Sequence, residues 1–321
     1  GFVVNYKNAE HSSIRPTDQG ALIMQCFNST TVPILSTLAQ EFGSFNNWYA
    51  DVPGPTEPNR LYSWMATSDG LGDDNAARLA IGFDKMSIFQ MLDEYYNKSS
   101  DNNWRVYMSD GATPIFVDYT RTHPLRYREM PDFYNDVTNG DLPLFTWIDP
   151  GYLENDIVPP SSQHPDFNVL DGEKQMKKIY EHLRASPMWN DTLMLIFYDE
   201  HGGFYDHVSP PLGPNPDGKN VTVGPKFDFQ RIGLRVPSIL VSPWVQKGLI
   251  IDDPGNNEYH NASQYTHSSL VKTMREQYAP ECPAFTKRDS WSLSFEKYVM
   301  QLETPRTDCP MKLPDVPDIG M

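Results

Sequence analysis

Apolar residues in this 321-residue chain fall into two kinds of run. "LFTWID" (144–149), "LMLIFYD" (193–199) and "VPSILVS" (236–242) are short, almost continuously apolar and bounded by turn residues, which predicts buried β-strands. "VPILSTLAQEF" (32–42), "MSIFQMLDEYY" (86–96), "GEKQMKKIYEHLRA" (172–185) and "SSLVKTMREQYA" (268–279) repeat apolar positions at three- and four-residue spacing, which predicts amphipathic helices. Helix alternating with strand implies an α/β fold, a largely parallel central sheet with helices on both faces. In such folds ligands bind outside the carboxyl ends of the strands. The chain has no internal repeat, low-complexity tract or obvious linker, so residues 1–321 read as one domain ending in an irregular tail over 282–321.

Charge then narrows the partners. A formal net charge of −16 excludes nucleic acid, because phosphate backbones are held by clustered Lys and Arg. No run of about 18 apolar residues occurs, so no transmembrane helix is encoded. Five Asn-x-Ser/Thr sequons, at Asn28, Asn97, Asn190, Asn220 and Asn261, are glycan acceptors if the chain traverses a secretory pathway. With the acidic composition, they predict a secreted or extracellular protein, or one in the lumen of a secretory compartment.

"YDEHGGFYDHV" (198–208) carries the densest chemistry and follows directly on the "LMLIF" strand. Asp199, Glu200 and His201 offer oxygen and nitrogen ligands suited to Zn, Mn or Fe and, through oxygen alone, to Ca or Mg. Gly202 and Gly203 permit a sharp turn or a close approach to a ligand. A solvated acidic turn is the plain alternative, but several acids at a buried strand end are costly without a counter-charge, which favours a divalent cation. Asp206 and His207 read equally well as a salt-bridged pair supporting the loop or as direct participants.

The second stretch is "GPTEPNRLYSWMAT" (54–67). Pro58 before a helical pattern marks a helix start, which puts Thr56 near free N–H groups and the positive end of the dipole. Thr56 is then an N-cap, or it is a nucleophile that attacks a phosphoryl group resting on the helix N-terminus and on Asn59.

Together with "GPKFDFQRIGLRVPSILVSPWV" and "SQYTHSSLVKTM", these stretches resemble the phosphoesterase family of non-specific phospholipases C and related acid phosphatases, over about residues 24 to 295. The resemblance implies a three-layer alkaline-phosphatase-like fold and a metal-dependent phosphoric ester hydrolase acting through a phospho-threonine intermediate. It also implies roles: Thr56 as nucleophile, Asn59 and Arg60 completing its motif with Arg60 on substrate, Asp199 and Glu200 on the metal, and His201 as ligand or leaving-group acid. His164 and His267 match histidines lining the family's pocket, where they contact phosphate or protonate the leaving oxygen, His164 on substrate and His267 in catalysis, although surface or structural roles are the default for both from sequence alone. The substrate class it implies is a phospholipid at a membrane surface or a soluble phosphomonoester; the aromatic stretches "FNNWYADVP" and "YSWM" flanking Thr56 read as a lipid-facing rim or, more commonly for such residues, as plain core.

One family motif is missing. A Glu-Asn-Arg-Ser-Phe-Asp-His stretch, whose Glu and Asn supply further metal ligands, has no counterpart, since Glu154-Asn155 has the wrong order and context. The expectation is an N-terminal portion absent from this sequence or carried on a separate associated fragment. The alternative is a non-catalytic extracellular structural or binding subunit that keeps the fold. Cys282 and Cys309 flank irregular Pro-containing segments, which suits a disulfide stapling the tail, with unpaired thiols as the alternative and Cys26 left over.

Overall fold

The computed structural model describes residues 1–8, 19–98, 100, 102–152, 160–165, 167–221, 226–252 and 263–318. Asn261, Glu154 and Asn155 lie outside the described residues. The strands are β1 (Gly43–Phe45), β2 (Trp48–Tyr49), β3 (Trp104–Met108), β4 (Tyr127–Glu129), β5 (Phe145–Asp149), β6 (Met194–Phe197), β7 (Ser238–Val241), β8 (Leu249–Ile251) and β9 (Tyr265–Thr266). The α-helices are α1 (Phe2–Asn8), α2 (Pro33–Glu41), α3 (Thr56–Met65), α4 (Ala76–Ile81), α5 (Ile88–Met91), α6 (Asp118–Arg121), α7 (Met130–Asn139), α8 (Val169–Ala185), α9 (Ser268–Tyr278) and α10 (Lys287–Trp291). The helix expected over 86–96 widens after α5 into a π turn, Leu92–Tyr96.

One sheet runs β6-β7-β1-β8, a second β4-β3-β5, and β2 pairs with β9. Parallel pairing prevails in β1·β8, β2·β9, β3·β4 and β3·β5, while β7 runs antiparallel to both β1 and β6. The expected largely parallel α/β sheet is therefore present, with β7 as its reversed strand.

Strand periodicity explains the layers, because successive side chains point to opposite faces. On one face Trp147 of β5 and Leu195 and Phe197 of β6 pack with Leu61 and Trp64 of α3, Phe89 of α5 and Val271 of α9. On the other, Ile148, Met194 and Ile196 pack with Leu38 of α2, Phe133 of α7 and Tyr180 and Leu183 of α8. Helices thus cover both faces, and the two sheets share both cores.

The disulfide expectation is corrected. Cys26, Cys282 and Cys309 are all free thiols. Cys282 is buried in the core on the α3 face and Cys309 in the core on the α8 face, so the sheet lies between two sulfurs whose Cα atoms would have to approach within about 7 Å. The tail is held to α8 by hydrogen bonds instead. Tyr180 Oη donates to the Pro310 carbonyl at 2.7 Å, Arg184 Nε to Cys309 O at 3.1 Å and Lys177 Nζ to Leu313 O at 2.6 Å.

Candidate active site

Thr56 is the first residue of α3, following Pro55, and no side chain caps that helix. Its hydroxyl makes no hydrogen bond among the described residues, so it is not an N-cap. Asn59 is fully buried and turned the other way. Its Nδ2 donates to the carbonyls of Val52, Gly54 and Pro55 at 3.2, 3.1 and 3.1 Å, and its Oδ1 accepts from Val52 N at 3.0 Å. All of its hydrogen-bonding capacity is spent on the loop that delivers Thr56, which makes it a positioning residue rather than a phosphoryl contact. Asp74 accepts from the Glu57 amide at 2.8 Å, so a carboxylate already sits on the helix N-terminus.

Arg60 lies one helical turn after Thr56 and reaches across to two strand ends. Its Nε donates to Asp199 Oδ2 at 2.9 Å, just past β6, and its Nη1 lies 3.5 Å from Asp149 Oδ1, the last residue of β5. Tyr152 receives a hydrogen bond from Arg60 and donates to Asp149 Oδ1 at 2.9 Å. Asp149 is buried and takes further hydrogen bonds from Thr113 N at 2.6 Å and Trp147 Nε1 at 2.9 Å. This clamp ties α3, through Arg60, to Asp149 and Asp199 at the carboxyl ends of β5 and β6.

The loop after β6 is internally braced. Asp199 Oδ1 accepts from Glu200 N at 3.0 Å, Glu200 Oε2 accepts from Gly202 N at 2.6 Å, and His201 Nδ1 lies 3.6 Å from Glu200 Oε2. Gly202 is required twice over: its φ is +64°, and a Cβ there would sit 3.0 Å from Pro165 Cγ.

His267 is fully buried, with both ring nitrogens occupied. Trp48 Nε1 donates to its Nδ1 at 3.1 Å, so Nε2 carries the proton and donates to the Asp199 carbonyl at 2.8 Å. Burial pushes its pKa below the usual histidine value, consistent with that neutral tautomer. The residue therefore fixes the Asp199 backbone from behind, with no ring nitrogen left to protonate a leaving group. His164 is exposed on the neighbouring loop, its ring edge-on to Phe167. The Asp206–His207 alternative resolves toward support, since Asp206 pairs with Arg235 through two 2.8 Å bonds while His207 is 76% exposed.

Acid charge dominates this place. Glu57 is pushed up to about 7, chiefly by burial and further by Asp74, Asp149 and Asp199. Glu200 is likewise pushed up to about 7 by burial, with Asp199 next and Asp74 adding to it. Arg60 opposes both shifts. One Glu57 carboxyl oxygen, Oε2, is buried without a hydrogen-bond partner. Hard carboxylate oxygens in such excess have the chemistry of a divalent-cation site, and Asp199 and Glu200 fit as two ligands. Among the described residues, however, no group of three or more His, Cys, Asp or Glu stands in a metal-holding arrangement.

Sequence reading passed over Glu57, Asp74, Asp149, Tyr152 and the Arg60 clamp. Asp149 was findable, because it ends the "LFTWID" run at the carboxyl edge where parallel sheets bind ligands. Of the two readings of the aromatic stretches, plain core is the one the structure bears out: Trp48, Tyr49, Tyr62 and Trp64 are all buried.

Residues 3–279 match the phosphoesterase family. The chain belongs to that family. Non-specific phospholipase C6 of Arabidopsis thaliana is 39% identical over 315 residues, 96% of this chain and 59% of the relative. Non-specific phospholipase C1 of the same plant is 40% identical over 301 residues, 92% of this chain and 55% of the relative. Phospholipase C A of Mycobacterium tuberculosis (strain H37Rv) is 28% identical over 298 residues, covering 83% and 54%. This phosphoesterase chain thus spans less than two thirds of the length of these relatives. Among solved structures, a protein in the alkaline phosphatase superfamily from Vibrio parahaemolyticus aligns with a TM-score of 0.44 at 13% identity, over 84% of this chain and 66% of that one.

Proposed function

We propose that this chain carries the nucleophile and two metal-binding acids of a phospholipase C-like phosphoric ester hydrolase, with Thr56 phosphorylated in turnover. The observation that carries the reading is the Arg60 clamp, which ties the helix that starts at the uncapped Thr56 to the buried Asp149 and the half-buried Asp199.

In this reading Asp199 and Glu200 hold a divalent cation, which when bound lowers the charge on a phosphoryl oxygen and the pKa of a nearby hydroxyl. Thr56 Oγ1 attacks phosphorus in line, the bond to the leaving alcohol breaks, and water later releases the phosphoryl group from Thr56. Arg60, already charged against Asp149 and Asp199, holds phosphoryl oxygens as negative charge redistributes. His201, 28% exposed and beside Glu200, offers its ring to the leaving oxygen, whereas His267 orients Asp199. His164 lies on the rim.

A phospholipid is favoured over a soluble ester by an apolar rim beside His201. Phe2 packs edge-on against His201 and Tyr205, and Tyr205 N donates to the Ile23 carbonyl at 2.8 Å. Around that contact Val4, Leu22, Met24, Phe27 and Tyr205 are exposed. Secretion is part of the proposal, supported by the exposure of Asn28, Asn97, Asn190 and Asn220, each of which a glycan transferase can reach. The test is to quench turnover and search for a phosphoryl group on the peptide containing Thr56. Parallel assays use phosphatidylcholine micelles and a soluble aryl phosphate. Turnover with no phosphorylated Thr56 peptide removes the mechanism, and a large preference for the aryl ester removes the lipid.

A further inference from the structure

The mechanism above leaves the carboxyl of Glu57 unused. Glu57 directly follows Thr56 in the first turn of α3. It stands three residues before Arg60, as Thr56 stands four before it, so both lie on the Arg60 face of the helix. A glutamate in a first turn ordinarily complements the helix dipole from solvent. Here Asp74 already takes the Glu57 amide at 2.8 Å, and Glu57 Oε2 is sealed from solvent.

Carboxylates that serve this scaffold are saturated with donors. Asp93 accepts from Asn103 Nδ2, Trp104 Nε1, Tyr119 Oη and Arg126 Nη1 at 2.8 to 3.0 Å. The Glu57 carboxyl, by contrast, makes no hydrogen bond among the described residues. Nor does the Thr56 hydroxyl, so an acceptor without a donor and a donor without an acceptor stand on consecutive residues of one helical turn. The charged groups that face Glu57 are Arg60 on its own helix, Asp74 before α4, Asp149 at the end of β5 and Asp199 after β6. Burial is the largest influence, Arg60 opposes it and the three acids add to it, which brings the carboxyl up to about 7. A carboxylate with that proton affinity is a far better base near neutral pH than an ordinary one.

We propose that Glu57 accepts the proton of the Thr56 hydroxyl during attack and returns it when Thr56 is released. The inference rests on the phospho-threonine reading and adds where the nucleophile's proton goes. As the bond from Oγ1 to phosphorus forms, the Thr56 proton passes to the Glu57 carboxylate, and the bond from phosphorus to the alcohol breaks with its oxygen protonated from His201. Water then attacks the phosphothreonine and passes a proton to His201. The Glu57 carboxyl gives its proton back to Oγ1 as that bond to phosphorus breaks, so both groups end the turnover as they began it.

The experiment follows phosphorylation of Thr56 in a single turnover of phosphatidylcholine micelles, for the protein as purified and for Glu57→Gln, across the acid and neutral range. Glutamine keeps the size of the side chain but takes up no proton. The expected result is phosphorylation slowed by about a hundredfold or more, with loss of the parent's rise in rate as pH increases. Glu200, raised likewise to about 7, is untouched by the substitution, so a limb lost with it belongs to Glu57. Thermal melts in chelator separate this role from a structural one. A carboxyl whose pKa is raised on folding costs stability once it ionises, so Glu57→Gln leaves Tm nearly unchanged in acid and raises it above neutrality. A phosphorylation rate within about threefold of the parent, or a Tm below the parent's above neutrality, overturns the assignment of Glu57. Absence of phosphorylated Thr56 from the parent removes the reading beneath it and this inference together.

Discussion

Arg288 and Asp51 form an ion pair at 2.7 Å in which neither side chain has any solvent exposure. The guanidinium also donates to the carbonyls of Asp51, Phe229 and Pro214, and the second Asp51 oxygen accepts from Ser268 N at 2.8 Å. Removing one member strands a charge in the core, so Arg288→Met costs about 3–5 kcal/mol in denaturant unfolding. Adding Asp51→Asn to that variant recovers part of the loss, and strict additivity of the two changes would show that the pair is not coupled.

Arg60→Met leaves Asp149 buried without its cation and, on the proposed mechanism, removes a donor from the phosphoryl group. The expected result is a fall in kcat of about 10²–10³ together with a lower Tm. Arg60→Lys keeps the charge but not the planar fork, so it restores more Tm than rate. Equal recovery of both would reduce the clamp to a structural ion pair.

Thr56→Ala separates chemistry from folding. The hydroxyl caps nothing, so the midpoint of unfolding stays within about 0.5 kcal/mol of the parent while kcat falls about a thousandfold. A stability loss matching that of a lost cap would return Thr56 to a helix-start role.

Acid pH stabilises the metal-free chain. Glu57 and Glu200 have folded-state values of about 7 against an ordinary 4.5. A carboxyl raised on folding contributes stability that is complete below about 4.5 and lost as pH rises through about 7, on the order of 3 kcal/mol for a shift of this size in a shielded group. Thermal melts in chelator therefore decline from pH 5 to pH 8, and an added divalent cation raises Tm more at pH 8 than at pH 5. A melt independent of pH across that window contradicts the acid surplus.

Thiol counting checks the sulfur chemistry. Denatured, unreduced protein takes up label at Cys26, Cys282 and Cys309 alike; blocked Cys282 and Cys309 would restore the staple between the two cores.

The strands and helices with strong apolar periodicity were legible to within a few residues, from β6 and β7 to α8 and α9. β3, "WRVYM", and α7, "MPDFYNDVTN", were not, because an arginine within one and polar residues throughout the other break the apolar rhythm. Arg105 of β3 is tolerated there by pairing with Asp136 of α7 at 3.0 Å, a long-range contact that no local pattern encodes. At the site, residue types were legible but their directions were not. Asn59 and His267 carry the right chemistry for phosphate, and only the geometry shows that their polar atoms face the scaffold.

The chain of contacts from Arg288 through Asp51 and Ser268 ends at the helix whose preceding residue, His267, grips the Asp199 backbone. A lesion at position 288 that leaves the chain folded would therefore also surface as a catalytic defect. A screen scored on turnover alone would place Arg288 among the reacting groups, although it lies sealed in the interior and meets no substrate.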